Sequence, residues 1–167
     1  MLPKSIEKAM NQQMNQELHS SYVYLSMSAY FDRLNLDGFA HWMRLQAQEE
    51  LGHSIKLFDY VLEREGGVDL TEVAAPAAEW NSPLSACEEA LKHEKENTKQ
   101  INALMNLAFE ENDHATRVFL QWFVEEQVEE EASATRLAEK VKLIKEDNGA
   151  MFILDQELGK RQLTGEE

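Results

Sequence analysis

The sequence predicts an all-α protein, a bundle of four long helices followed by a short fifth helix. Apolar residues recur every three or four positions in four long segments, which is the spacing of one helix face. Only 3 prolines and 7 glycines occur among the 167 residues, so turn signals are few. Hydrophobic residues make up 43% of the chain and charged residues 28%, a composition typical of a folded chain with a substantial core.

The first two helices are predicted on either side of a short break, which implies that they are antiparallel neighbours. The first begins near Ser5, and the second runs from residue 38 to about residue 64. Asp37 is the expected N-cap of the second helix, and Gly66 and Gly67 are expected to end it. The positions expected to face inward are Met10, Met14, Glu17, Ser21, Tyr24, Ser28 and Phe31 on the first helix, and Phe39, Met43, Gln46, Glu50, His53, Leu57 and Tyr60 on the second.

The segment from residue 68 to residue 81 lacks helical periodicity and contains Pro76. A connection of this length is unusual within a compact domain. At roughly 3.3 Å per residue, however, it is long enough to travel the length of a bundle. We therefore predict a long crossover, after which the third helix starts at the far end.

The third and fourth helices have clear start signals. Ser82 and Pro83 provide a capping side chain followed by proline at the first helical position. Asn112 and Asp113 are expected to form a tight turn into the fourth helix, from residue 114 to about residue 145. The expected inward positions are Leu84, Cys87, Leu91, Glu94, Thr98, Ile101, Met105 and Ala108 on the third helix, and Leu120, Phe123, Gln127, Glu130, Ala134, Leu137, Val141 and Ile144 on the fourth.

A short fifth helix is predicted from residue 150 to about residue 158, after a break at residues 147–149 that ends the fourth helix. It is strongly apolar, with Met151, Phe152, Ile153 and Leu154 in succession. Because an exposed apolar patch marks an interaction site, we expect this helix at a subunit interface rather than on its own bundle. A loose polar tail is expected at residues 162–167.

Polar and ionisable residues interrupt the apolar faces near the midpoint of every long helix. They are Glu17 on the first helix, Glu50 and His53 on the second, Glu94 on the third, and Gln127 and Glu130 on the fourth. Each lies within about one turn, roughly 5.4 Å, of its helix midpoint, and packed helices of equal length share the level of their midpoints. The sequence therefore predicts four carboxylates, one imidazole and one amide in a single layer of the core.

Four like charges in one buried layer must take up protons or bind cations. Carboxylates with one histidine and no thiolate favour metals such as iron or manganese. Glu50 and His53 fit the Glu-x-x-His motif of dimetal helix bundles, whereas Gln127 and Glu130 replace the second copy of that motif with a glutamate. The pattern therefore indicates a site for two metal ions.

The whole chain resembles the ferritin family, and bacterial non-haem ferritins most of all. The residues that carry this resemblance are Glu17, Tyr24, Glu49, Glu50, Leu51, Gly52, His53, Glu94, Glu126, Gln127, Glu129 and Glu130. The helix lengths, the long crossover and the short fifth helix also correspond. The resemblance implies a ferritin-like four-helix bundle and a single ferritin-like diiron domain over residues 1–167.

The resemblance also implies the residues of three iron positions and one redox residue. The first position is held by Glu17, Glu50 and His53. The second is held by Glu94, Glu130 and Glu50, which bridges the two ions, and Gln127 lies beside them. The third is held by Glu49, Glu126, Glu129 and Glu130. Tyr24 matches the tyrosine that lies beside this centre in the family, where it is a plausible one-electron donor. Iron in a dinuclear centre is therefore the expected metal.

The family oxidises Fe(II) with dioxygen or hydrogen peroxide and stores ferric mineral in a hollow shell of 24 subunits. The resemblance thus implies a ferroxidase and iron-storage subunit, with the fifth helix lining the four-fold axes of the shell. No haem is expected, because bacterioferritins have a second histidine in place of Glu130 and a haem-ligating methionine in place of Gly52. The single cysteine, Cys87, excludes the cysteine-bound iron domain of rubrerythrins.

Three alternatives remain open on the sequence alone. The chain could be a detoxifying diiron relative without large-scale storage, a dimetal oxidase acting on an organic substrate, or a metal-free acidic bundle that serves as an interaction module. The net charge of −15 disfavours nucleic acid as a partner. A cytoplasmic location without membrane contact is expected, since neither a signal peptide nor an apolar run of roughly 18 residues is present. The remaining histidines, His19, His41, His93 and His114, are expected at the surface.

Overall fold

The computed structural model describes residues 1–145 and 147–163 and is built from α-helices. Their bounds are Lys4–Arg33 (α1), Asp37–Glu63 (α2), Pro83–Glu110 (α3), His114–Ile144 (α4) and Asn148–Leu158 (α5). Helix α1 packs along α2 and α3 along α4, and contacts between α1 and α3 join the two pairs. The predicted all-α bundle is thus confirmed, while residues 164–167 of the predicted loose tail lie outside the described residues.

The start of α2 is capped from a distant part of the chain. Asp37 is already helical and is not the N-cap; the N-cap position is Leu36, which has no side-chain cap. Instead, the carboxylate of Asp155 on α5 accepts hydrogen bonds from the backbone N–H groups of Gly38 at 2.8 Å and Phe39 at 3.0 Å. A side chain at Gly38 would place its Cβ 1.7 Å from the Asp155 carbonyl oxygen, so only glycine permits this approach.

The ends of α2 and α4 differ from expectation in detail, whereas the start of α3 agrees with it. Helix α2 turns back at Glu65, whose φ is 58°, and the Gly66 N–H then donates to the Val61 carbonyl at 2.8 Å. Residues 147–149 do not end α4, which stops at Ile144; instead, the Asp147 side chain caps the first turn of α5. A capping box between Ser82 and Ser85 starts α3 where the sequence predicted.

The crossover between α2 and α3 runs along α1. Near its start, the amide side chains of Asn11 and Asn15 hydrogen-bond to the backbone of Gly67, Asp69 and Thr71 at 2.7–2.9 Å. Near its end, Arg33 donates to the carbonyl of Ala78 at 2.7 Å. The segment therefore spans most of α1, as its length predicted, and several of its backbone groups are hydrogen-bonded to α1.

Two apolar clusters fill the bundle. One contains Tyr24, Phe31, Phe39, Met43, Leu137 and, from α5, Leu154; the other contains Ile6, Met14, Leu57, Ile101, Leu120 and Phe123. Helix α5 packs on its own bundle through Leu154, whereas Phe152 and Ile153 point outward, so its place at a subunit interface stays a prediction. None of the helices within the described residues combines the length and the apolar composition needed to cross a bilayer.

Candidate metal centre

The four long helices bring their polar residues together between the two apolar clusters. Glu17, Glu50 and Glu94 are 0% exposed, Gln127 is 3% exposed, and His53 and Glu130 are 4% exposed. The predicted polar residues are therefore all buried, and they come from all four helices. A buried ionised carboxylate is costly unless hydrogen bonds or cations compensate it, so the partners of each group decide what the layer can bind.

The first group of possible ligands consists of Glu17, Glu50 and His53. One ligand atom from each of these side chains lies within 4.8 Å of the other two. Glu50 and His53 share a face of α2 because they are three residues apart, and Nδ1 of His53 is 3.7 Å from Oε2 of Glu50. These are the same three residues that the resemblance assigned to the first iron position.

Glu50 is the central carboxylate of the layer. Among the described residues, no N–H group or hydroxyl donates to either of its oxygens. The hydrogen bond open to it is with the carboxyl group of Glu17, which requires a proton on one of the two. Burial, and then the charges of Glu17 and Glu94, raise the pKa of Glu50 well above its usual range. A metal cation would engage both oxygens and remove this cost, so the donor set fits a metal ion.

Glu94 is held by neighbours on other helices. The Tyr24 hydroxyl donates to its Oε1, and the side-chain amide of Gln127 donates to its Oε2 at 3.4 Å. Burial raises the pKa of Glu94 to about 7, against these two hydrogen bonds, which favour the ionised form. Two groups of three possible ligands occur among the described residues, and Glu94 belongs to neither of them. The ligand atoms of the implied second position, on Glu50, Glu94 and Glu130, therefore do not all lie close to one another.

A second ligand group instead joins His53, Glu126 and Glu130, again with ligand atoms within 4.8 Å of one another. Burial, and then the charge of Glu94, raise the pKa of Glu130 to about 8. Two residues of the implied third position, Glu126 and Glu130, are thus brought together. The other two are not in this group: Glu49 forms an ion pair with Arg161 and Glu129 is exposed.

Three amide side chains that the sequence did not assign to the site orient its carboxylates. Gln13 donates to Oε1 of Glu17 at 2.7 Å and to Asn97 at 2.6 Å, and Asn97 donates to Oε2 of Glu17 at 3.2 Å. Gln46 donates to Oε2 of Glu130 at 2.7 Å. Each amide lies three or four residues from a predicted ligand on its own helix, which is the signal that could have found them. Neutral donors position the carboxylates without cancelling their charge.

Tyr24 lies beside this centre and is fully buried. Burial, and then the charge of Glu94, raise the pKa of its hydroxyl well above the usual value. Its ring contacts Trp42 and His93 edge-on, at centroid distances of 6.5 and 6.0 Å. His93 hydrogen-bonds to Ser20 at 2.7 Å, and burial lowers its pKa.

The expectation that the remaining histidines lie at the surface is correct only for His114. His19, His41 and His93 are half-buried between helices or against the carboxyl-terminal segment. Their positions on the helical wheel lie beside the inward face, and neighbouring elements cover that flank.

Comparison with known proteins places this arrangement in one family. The profile of the Ferritin-like domain matches residues 7–144. A bacterial non-heme ferritin from Bacteroides fragilis (strain 638R) is 40% identical over 161 residues, which cover 96% of this chain and all of that protein. A bacterial non-heme ferritin from Staphylococcus aureus (strain MRSA252) is 35% identical over 166 residues, which cover 99% of this chain and all of that protein.

Solved structures agree with these relatives. An open pore ferritin from the hyperthermophilic archaeon Archaeoglobus fulgidus matches with a TM-score of 0.96 and 51% identity, over 97% of this chain and all of that chain. The resemblance inferred from the buried carboxylates and the Glu-x-x-His motif is therefore confirmed over nearly the full length. Sequence, fold and buried layer agree, and this chain belongs to the ferritin family.

Proposed function

We propose that this chain is a ferroxidase subunit that oxidises Fe(II) at a dinuclear centre and stores Fe(III) mineral inside a 24-subunit cage. Residues 1–167 act as one ferritin-like diiron domain. Iron is the substrate and the cargo of this site, and no haem takes part. The observation that carries the proposal is Glu50, a buried carboxylate at the centre of the layer to which no N–H or hydroxyl of the described residues donates.

The residues divide into two iron positions that share one bridge. Glu17, Glu50 and His53 hold the first ion, and their ligand atoms already lie within 4.8 Å of one another. Glu50 also binds the second ion, together with Glu94 and Glu130. Among the described residues, Oε2 of Glu94 has only a 3.4 Å contact with the Gln127 amide, so this oxygen is available to the second ion.

Binding of Fe(II) requires the carboxylates in their ionised form, so each ion displaces protons from the layer. Two Fe(II) ions then lose one electron each. Dioxygen accepts these two electrons and two protons to give hydrogen peroxide; with peroxide as the oxidant, the same two electrons and two protons give two waters. Protons displaced from Glu50 and Glu130, whose pKa values are raised by burial, are available for this step.

Tyr24 supplies one further electron in this proposal. Together with three Fe(II) ions, one of them at the third position, it provides the four electrons that, with four protons, reduce dioxygen to two waters. Its hydroxyl already donates to Oε1 of Glu94, so the loss of an electron from the ring can be accompanied by transfer of the phenolic proton to that oxygen. The hydrogen bond therefore gives the proton a defined destination. A third, weaker iron position uses Glu126 and Glu130, with Glu49 and Glu129 nearby.

The test is the substitution Glu50→Gln, which keeps the volume of the side chain and removes its charge. We expect Fe(II) oxidation, followed by stopped-flow absorbance at two Fe(II) per subunit, to slow by roughly tenfold or more. The cage should still form, which sedimentation velocity would report. Glu96→Gln, at an exposed position on α3, is the matched control and should oxidise iron at the wild-type rate. An unchanged rate in Glu50→Gln would remove Glu50 from the mechanism.

A further inference from the structure

The positively charged side chain of Arg161 lies beside the candidate metal centre. Arg161 follows α5, and its Nη2 lies 2.6 Å from Oε2 of Glu49, one of the carboxylates of the third iron position. The side chains are 22% and 11% exposed, so the pair is largely removed from water. An ion pair with this degree of burial is screened less by salt than a surface pair.

Arg161 is held in place by contacts on several sides. Its guanidinium lies over the ring of Trp42, 4.7 Å from the centroid, and its backbone carbonyl is hydrogen-bonded to Nε2 of His41 at 2.8 Å. Trp42 and Glu49 are seven residues apart and lie on the same face of α2. The helix that precedes Arg161 is itself fixed by the hydrogen bonds of Asp155 to the start of α2. The fold therefore fixes the position of the Arg161 guanidinium.

The guanidinium is not fully engaged there. Its Nη1 is buried and has no hydrogen-bond partner among the described residues, although a guanidinium offers five N–H donors. Arg161 thus places a positive charge on Glu49, one carboxylate of the proposed third iron position.

We propose that Arg161 is a tethered counter-ion that occupies Glu49 in the metal-free protein and weakens the binding of a third metal ion. This inference rests on the proposed function. It assigns to Arg161 the difference in affinity for Fe(II) between the main centre and the third position. A guanidinium and an Fe(II) ion cannot both take Oε2 of Glu49, so a third ion that binds this oxygen must displace Arg161. A third ion on the other oxygen still lies beside the positive charge of the guanidinium and is repelled by it. The two ions of the main centre do not use Glu49.

Anaerobic titration calorimetry with Fe(II) alone tests this directly. The variants Arg161→Gln and Arg161→Met remove the charge, and Met keeps an apolar chain on Trp42. We expect the wild type to bind two ions tightly and a third weakly. In both variants the third ion should bind at least roughly tenfold more tightly, with the first two unchanged. Arg161→Lys and the neighbouring exposed control Lys160→Gln should resemble the wild type.

A double variant tests whether tighter binding of the third ion requires Glu49. It distinguishes the loss of competition between Arg161 and the metal ion from a general loosening of the structure. In the double variant Glu49→Gln, Arg161→Gln, the gain at the third position should disappear. Isotherms of the two uncharged Arg161 variants that superimpose on the wild type would overturn the inference and leave the proposed function intact. Loss of the first two sites in these variants would also overturn it, because Arg161 would then support the main centre. A wild-type chain that binds no Fe(II) would overturn the proposed function and this inference together.

Discussion

Glu130 illustrates, at the scale of a single residue, what burial does to a carboxylate. Its pKa in the folded chain is raised from an ordinary 4.5 to about 8. In metal-free protein the folded state keeps a proton that the unfolded state releases above about pH 4.5. Its contribution to stability is therefore complete below that pH and is lost as the pH rises through about 8. A difference of one in pKa corresponds to about 1.4 kcal/mol, so the loss can reach a few kcal/mol.

The substitution Glu130→Gln removes this titration and keeps an acceptor for Gln46. We expect its unfolding temperature, measured in chelator by differential scanning calorimetry, to rise relative to wild type between pH 5 and pH 8. The relative gain should be at least a few degrees, since about 1 kcal/mol corresponds to roughly 2–4 °C in a domain of this size. Glu96→Gln, at an exposed position, should show no such change. Parallel pH profiles for Glu130→Gln and wild type would contradict the prediction.

Part of this site is predictable from the sequence for a physical reason. Carboxylates such as Glu17 and Glu50 interrupt apolar faces where only a compensating ligand makes them tolerable, so helical spacing reveals them. Gln13 and Asn97 give only the weaker signal of their spacing from Glu17 and Glu94, because a neutral amide is common on solvated faces. Arg161 cannot be found in this way at all: it follows the last helix, where no periodicity relates it to Glu49.

At the scale of elements, α5 is tied to α2 by one carboxylate. Asp155 is 5% exposed and accepts hydrogen bonds from the N–H groups of Gly38 and Phe39, which have no intrahelical partner at the start of a helix. Its negative charge also lies at the positive end of the α2 dipole. The sequence predicted Asp37 for this role, because a local cap can be recognised from sequence whereas one from residue 155 requires the tertiary fold.

The substitution Asp155→Ala should therefore loosen α5. Two N–H groups would lose their buried acceptor, and we expect a loss of about 1–3 kcal/mol in the free energy of unfolding. Chemical denaturation of metal-free protein measures this loss. Asp59→Ala, at an exposed position on α2, is the control and should change stability little. If Asp155→Ala unfolds at the same denaturant concentration as wild type, the cap does not hold α5.

The prediction of inward faces was most accurate for α1 and α2. Every expected inward position on α1 and α2 is buried. On α3, Leu84, Leu91, Thr98 and Met105 are only half-buried, while Ala86, Ala90 and Leu104 are buried instead. The buried face of α3 is therefore rotated toward small residues, which a pattern of large apolar residues does not reveal.

At the scale of the whole molecule, charge and exposed apolar surface act together. The chain carries a net charge of −15, which attracts Fe(II) and at the same time keeps copies apart. Assembly therefore needs apolar contacts to offset this repulsion. Helix α5 offers them, since Leu154 is buried in the bundle while Phe152 is 64% and Ile153 69% exposed. An outward apolar pair on a docked helix is typical of a surface that a second copy covers.

Replacing Ile153 by lysine should therefore abolish the storage of iron and leave the oxidation of Fe(II) in place. In the proposed cage, α5 helices from neighbouring copies meet, and a buried unpaired charge there is strongly destabilising. Sedimentation velocity should show the large shell of the wild type replaced mainly by smaller species. Gln156→Lys adds the same charge at an exposed polar position of α5 and should leave the shell intact. A variant Ile153→Lys that still sediments as the wild-type shell would show that α5 does not form the contact.

The smaller species also distinguish storage from the chemistry of the centre. The residues of the two ligand groups lie on one chain, so we expect a dissociated subunit to keep them. We expect Ile153→Lys to oxidise the first two Fe(II) ions per subunit at close to the wild-type rate. Without an enclosed cavity, however, Fe(II) added beyond that ratio should be oxidised to a ferric precipitate, whereas the wild-type shell should keep the ferric product in solution. Light scattering during stepwise addition of Fe(II) in air would record the difference, because only a closed shell shields growing mineral from aggregation.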